Sequence, residues 1–278
     1  MRLDAIIASM QTETIHNLQI PKIGFGTWTV GGRETPDPAT DAQSLAALRS
    51  ALELGYRHFD TAEVYAAGHA EELLGQAVRE MGLAREKLFI TSKVSPEHLR
   101  YADVLYSCEH SLRRLGVDYL DLYLIHWPMQ GMQLEDTFRA LNLLLREGRV
   151  RHLGVSNFNL ELLKQAQALS AMPLLTNQVP YSLADRTYVE NGVLAYCQQN
   201  DILLTAYSPV KRMDIASHTV LQEMARARAL TPQQVAMAWL TQQPRVITIP
   251  KSTNPQHQAE NLRAGDLRLS VAEIEQLA

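Results

Sequence analysis

Short apolar runs alternate along this chain with longer stretches in which apolar residues recur three or four apart. From about residue 22 onward each β-branched or aromatic run is followed by such a stretch, which is the pattern of repeated β/α units. Candidate strands are Lys22–Phe25, Arg57–Asp60, Leu88–Lys93, Leu120–His126, His152–Ser156, Leu174–Gln178, Ile202–Tyr207 and Val246–Ile249, eight in all. Eight units are the number that closes a parallel barrel, and in such a barrel the strand ends converge on one rim. The expected fold is α/β, a (β/α)8 TIM barrel in which residues 1–278 form one domain.

Local signals support the intervening helices. Leu45, Leu48 and Leu52 share one face before Gly55 ends the first, and Leu162, Ala166 and Leu169 do likewise in the fifth. Thr231-Pro232-Gln233-Gln234 combines a cap, a first-turn proline and a Gln three residues after the cap. Ser270 and Glu273 form a second capping-box pattern, with Leu269 and Ile274 spaced as a hydrophobic staple, so an extra C-terminal helix is expected. Residues 12–24 suggest an N-terminal β-hairpin that plugs the barrel bottom, preceded by a frayed tail over residues 1–11. Two rim loops are expected, Val30–Thr40 and Pro209–His218, the latter carrying Lys211, Arg212 and Asp214.

Composition narrows the function. A 46% hydrophobic content with 20% charged residues suits a globular protein with a sizeable core. With 26 basic and 30 acidic residues the net charge of -4 favours neither nucleic acid nor an anionic membrane. Cys108 and Cys197, the only cysteines, lie in helix-like apolar patterns, so inert thiols are expected, with no disulfide framework and no metal site. There is no secretory leader pattern and no apolar run long enough to span a bilayer, so the expected location is the cytoplasm. With no coiled-coil pattern, a monomer is expected.

The ends of the runs carry the chemistry. Asp60 and Tyr65 share one strand-to-helix loop and Lys93 ends the next strand, so the three can meet within hydrogen-bond reach. A nearby cation lowers a tyrosine pKa from about 10 by roughly one to three units, leaving a proton donor at neutral pH. Taken singly, Asp60-Thr61 reads equally well as a helix cap, Lys93 as a solvated charge and His126 as a structural histidine. On three consecutive βα loops, four such residues form a candidate site. His58 lies inside the strand pattern and is assigned to structure, and Tyr56, Phe89 and Trp239 to the core.

Phe59-Asp60-Thr61-Ala62-Glu63-Val64-Tyr65, Lys93, His126-Trp127-Pro128, Gly154-Val155-Ser156-Asn157-Phe158 and Ile249-Pro250-Lys251-Ser252 together resemble the motifs of the aldo-keto reductase family over nearly the whole chain. The resemblance implies NADP(H)-dependent reduction of a small carbonyl compound, with Tyr65 as acid and Asp60, Lys93 and His126 around it. It also implies a nicotinamide site at Ser156, Asn157 and Gln178, with Tyr207 stacked on the ring. Ser208 is a candidate for the cofactor phosphates, with a Ser-Pro turn as the competing reading. Lys251 and Ser252 precede Thr253-Asn254-Pro255, a helix start suited to a phosphate, which the resemblance implies is the 2′-phosphate of NADP. The family often has Arg where this chain has His257, a weaker phosphate ligand, so NAD(H) is a second candidate cofactor. Glu260 and Asn261 are candidates for adenine contact.

Gly24-Phe25-Gly26 lacks the third glycine of a dinucleotide fingerprint; Gly26, Thr27 and Trp28 instead shape the first rim loop beside the cofactor. Trp28, Tyr65, His126 and Trp127 are candidates for the substrate pocket. The short stretch Pro128–Glu135 suggests an open one. Two other readings remain at this level. One is a barrel lyase or aldolase with Lys93 as a Schiff-base amine; the other is a nucleotide-sensing subunit without turnover.

Overall fold

The computed structural model describes residues 11–210, 215 and 218–277. Residues 1–10 of the expected tail, and Lys211, Arg212 and Asp214 of the second rim loop, lie outside the described residues. Gln11, also expected in the tail, is tied down: its N–H donates to Asp266 Oδ1 at 3.1 Å and its carbonyl accepts from Lys22 N–H at 2.9 Å.

An antiparallel hairpin comes first, β1 (Thr12–Ile15) and β2 (Leu18–Pro21). Its Ile15 and Ile20 pack against Leu122, Leu124, Leu175, Leu203 and Ile247, closing the barrel at the end opposite the rim. Eight parallel strands then follow one another around a single sheet in chain order. They are β3 (Phe25–Gly26), β4 (His58–Asp60), β5 (Phe89–Val94), β6 (Leu120–Ile125), β7 (Val150–Ser156), β8 (Thr176–Pro180), β9 (Leu203–Tyr207) and β10 (Val246–Thr248). The sheet's two ends meet. Gly24 N–H donates to Thr248 O at 2.8 Å, Thr248 N–H to Lys22 O at 2.9 Å and Gly26 N–H to Pro250 O at 3.2 Å. The candidate strand Lys22–Phe25 therefore divides its pairing: its first residues bond to the last strand, and Phe25 with Gly26 pairs with β4.

Helices cover the outside: α1 (Asp41–Leu54), α2 (His69–Glu80), α3 (Tyr101–Leu115), α4 (Leu134–Arg146) and α5 (Leu160–Leu169) follow the first five barrel strands. Gly55 ends α1 at φ 101°, a left-handed conformation that favours glycine. In α5 the expected stripe faces the core, with Ala166 fully buried and Leu162 and Leu169 partly buried against it, and Leu163 joins it as a further buried side chain. α6 (Thr187–Glu190) and α7 (Val193–Gln199) follow β8; α8 (Thr219–Ala227) and α9 (Pro232–Thr241) follow β9; α10 (Pro255–Ala264) and α11 (Val271–Leu277) close the described chain. The capping box at Thr231 and Gln234 forms as expected. Ser270 and Glu273 also exchange both bonds, at 2.7 Å and 3.3 Å. α8 was not anticipated. It buries Leu221, Met224 and Ala225, but the capping acceptor is a histidine ring nitrogen, His218 Nδ1, which carries no ordinary start signal.

Cys108 and Cys197 are buried free thiols, each pushed up to about 12 by burial. Among the described residues no helix is long and apolar enough to cross a membrane.

The helix layer is tight where α2 meets the end of α3: a Cβ on Gly75 would lie 2.3 Å from the Leu115 carbonyl oxygen. Backbone cannot yield there as a flexible side chain would. Gly75→Val is therefore expected to lower stability by roughly 1–3 kcal/mol, read as a reduced midpoint in urea denaturation.

Candidate active site

Register between neighbouring strands builds the centre of the rim. Asp60 pairs with Thr91 across β4 and β5, so Asp60, Thr91 and Lys93 share the inner face of the barrel. Lys93 is fully buried, and its Nζ donates to Asp60 Oδ1 at 2.5 Å, to the Thr61 carbonyl at 2.8 Å and to the Tyr65 hydroxyl oxygen at 3.3 Å. Those three bonds use all three ammonium hydrogens. Since Lys93 gives its hydrogen to the phenol oxygen, the phenol's own proton is left for another acceptor, and Tyr65 lines the cleft.

Burial alone would depress the Lys93 pKa, but the Asp60 carboxylate and Tyr65 outweigh it and hold the ammonium above its usual value. Burial also pushes the Tyr65 phenol up, and Lys93 does not fully offset this. The direction is thus opposite to the lowering expected from the cation alone. Tyr65 is protonated at neutral pH either way.

His126 follows β6, with its ring 5.6 Å from that of Tyr65 at 75°. Burial, reinforced by the Lys93 charge, brings its pKa down to about 3, so the imidazole is neutral. His58 is buried behind the site, and burial takes it to about 4. Its Nε2 lies 3.4 Å from Thr91 Oγ1, consistent with its assignment to structure.

A second layer of polar groups joins this centre to β7 and β8. Gln178 Nε2 donates to Asp60 Oδ2 at 2.7 Å, so both oxygens of the buried carboxylate are occupied. Ser156 Oγ donates to the Gln178 carbonyl at 2.8 Å. Asn157 sits at φ 64°, a left-handed backbone that asparagine tolerates. Its amide donates to the His126 carbonyl at 3.0 Å and accepts from the Tyr207 hydroxyl at 2.9 Å. Asn159, two residues on, caps α5 instead.

At the other end of the cleft, Lys251 Nζ donates to Thr29 Oγ1 at 2.8 Å, and burial lowers the Lys251 pKa. Asn254 caps α10, accepting from Gln256 N–H at 2.8 Å and His257 N–H at 3.4 Å, with Pro255 in the first turn. Ser252 Oγ accepts from Asn254 N–H at 3.1 Å, and Glu260 is held by Gln256 at 2.8 Å.

Asp60, Tyr65, His126, Ser156, Asn157, Gln178, Tyr207, Lys251 and Ser252 open on one cleft of about 1140 Å³. Gly26, Ser208, His257, Glu260 and Asn261 line it together with the groups above, and Trp28 and Trp127 stand half exposed at its mouth. Lys93, fully buried, lies behind the lining. Thr27 also stands apart from it: its hydroxyl, fully buried, is used on the Asp60 carbonyl at 3.1 Å. Several lining residues had no sequence signal, among them Thr29, Glu97 and Asp185. The lining offers groups that a dinucleotide would need: amides and a hydroxyl that could meet a carboxamide, an aromatic ring at Tyr207, and a lysine beside a capped helix start that could meet a phosphate.

A closed barrel that brings a buried Asp–Lys pair against a tyrosine hydroxyl at the carboxyl ends of its strands, beside a large cleft, has the architecture of a barrel enzyme. The chain belongs to the aldo/keto reductase family, whose model matches residues 22–278. It is 36% identical over 267 residues to the methylglyoxal reductase YeaE of Escherichia coli, covering 94% of this chain and 91% of that one. Among solved structures it resembles the thermostable aldo-keto reductase Tm1743 in complex with the inhibitor epalrestat, with a TM-score of 0.93, 42% identity and coverage of 96% and 98%. An aldo/keto reductase from Klebsiella pneumoniae in complex with NADP and acetate superposes with a TM-score of 0.86 at 39% identity, covering 96% and 94%.

The two neutral buried histidines make stability depend on pH. With folded pKa values of about 4 and about 3 against an unfolded value of about 6.5, His58 and His126 take up protons in the unfolded chain before the folded one. Their contribution is full above pH 6.5 and is lost as pH falls toward the folded values. His58→Phe is expected to flatten the fall in urea-denaturation stability between pH 6.5 and 4.5, relative to the unmodified protein.

Proposed function

We propose that this chain reduces aldehydes or ketones to alcohols with NADP(H), with Tyr65 as the acid. The observation that carries this reading is Lys93 Nζ donating at once to Asp60 and to the Tyr65 oxygen, behind the wall of a cleft suited to a dinucleotide. Bound NADPH supplies a hydride to the carbonyl carbon. The chain's own residues handle the oxygen. As charge develops there, Tyr65 gives up its proton, and the Lys93 ammonium stabilises the phenolate left behind. Asp60 keeps Lys93 charged and aimed, and neutral His126 offers a hydrogen-bonding edge to the same oxygen. Ser156, Asn157 and Gln178 orient the carboxamide and Tyr207 backs the ring.

The neighbours in the family fit this reading, since one is a methylglyoxal reductase and another was solved with NADP. Schiff-base chemistry at Lys93 is disfavoured, because that requires a neutral amine and this one is held charged by a carboxylate. For the adenosine end we propose Lys251, Ser252 and His257 as the 2′-phosphate grip, with Glu260 and Asn261 toward adenine.

Tyr65→Phe is expected to lower kcat for carbonyl reduction by roughly 100-fold or more while NADPH binding, read by quenching of protein fluorescence, persists. Full turnover in that variant would remove Tyr65 from the acid role. His257→Arg supplies a charged fork where an imidazole stands and is expected to raise the NADPH/NADH ratio of kcat/KM by roughly tenfold.

A further inference from the structure

We infer that Glu97 sets a charge preference at the substrate end of the cleft, favouring neutral or cationic carbonyl compounds over those bearing a carboxylate. This inference rests on the reductase reading and adds the class of substrate to it. β5 delivers Lys93 to the floor of the site, and the short turn Pro96–His98 that follows brings Pro96 and Glu97 to the cleft wall. The carboxylate is held in place. Ser95 Oγ bonds Glu97 Oε2 and accepts from the Glu97 N–H at 3.4 Å, and the Ser95 N–H is itself fixed by Glu63 Oε1 at 2.6 Å. The Ser95 hydroxyl, with a backbone N–H, holds Glu97 below the usual carboxylate range, so it is anionic at neutral pH. His98, the nearest cationic candidate on the turn, bonds Glu63 at 3.1 Å rather than Glu97.

That charge is only lightly countered at this end, by His98, which acts on it without bonding to it. The other walls of this end are Trp28, Val64 and Trp127, and among the described residues Lys251 is the only Lys or Arg lining the cleft. Lys251 follows the eighth barrel strand, whereas Glu97 follows the third, across the ring. Lys93 is behind the lining and is committed to Asp60. A carbonyl group placed at Tyr65 and His126 therefore extends its remaining atoms between apolar walls toward an anchored anion. Apolar walls strengthen the field of a charge at a cleft mouth. A remote carboxylate is repelled there, and a remote ammonium is drawn in.

The test uses three para-substituted benzaldehydes carrying a carboxylate, a methyl ester or a trimethylammonium group, with NADPH and the full chain. The readout is the kcat/KM ratio of the ammonium to the carboxylate compound, in which intrinsic reactivity cancels between variants. Glu97→Gln keeps an acceptor for Ser95 and is expected to lower that ratio by about five- to tenfold. Glu97→Lys should lower it further, and about 0.5 M salt should shrink the gap between unmodified protein and Glu97→Gln. An identical ratio in all three proteins, with the ester still reduced, would overturn the role of Glu97 and leave the reductase reading standing. No reduction of any of the three by the unmodified protein would overturn both.

Discussion

An ammonium buried out of reach of water is the constraint on which the site depends. Lys93 is fully buried, and such a charge is tolerable only with an opposite charge in contact and its hydrogens all used. Asp60, the Thr61 carbonyl and Tyr65 supply those contacts, and Gln178 satisfies the carboxylate's second oxygen. Sheet register makes the pairing possible. Because side chains alternate across a strand, a slip of one residue in β5 would turn Lys93 outward into the helix layer. There Ser92 now bonds Glu71 at 2.5 Å, and Glu71 in turn is paired with Arg114 at 2.7 Å. The two faces of this one strand thus hold two separate buried ionic sites, and exchanging them would leave both unpaired.

The same pair sets the electrostatics of its neighbours in different ways. Tyr65 feels burial more than it feels the cation, and remains an acid rather than a phenolate. His126 has burial and the cation acting together, and remains neutral. Two ring side chains 5.6 Å apart are in this way kept uncharged beside a fixed charge.

Much of this was legible in the chain because strand ends are. A short apolar run ending in Asp60, Lys93 or His126 states both the secondary structure and the rim position of the residue that ends it. Capping boxes at Thr231 and Ser270 were equally plain, since the cap and its partner lie three residues apart. What escaped depends on distant or unusual partners. The Gln178 bond to Asp60 spans 118 positions, and nothing local distinguishes it from a carboxamide ligand. Thr27 reads as a rim residue, yet the tight turn after β3 points its hydroxyl back at the Asp60 carbonyl. The sign of the Tyr65 shift required knowing how deeply the ring is buried. α8 lacked an ordinary cap, and Glu97 lay in a turn whose side chain could have faced either way.

Closure of the barrel joins the two ends of the described chain: Lys22 Nζ reaches the Val246 carbonyl at 3.2 Å across 224 positions. During synthesis and folding, the first strand therefore waits with one edge unpaired until the last strand exists. Contacts of such separation form slowly, and an open strand edge in the interim invites pairing with another chain. The hairpin that seals the barrel bottom lies immediately before that waiting edge. Its antiparallel pairing is local and can form early, giving the young chain a folded start beside its most vulnerable backbone.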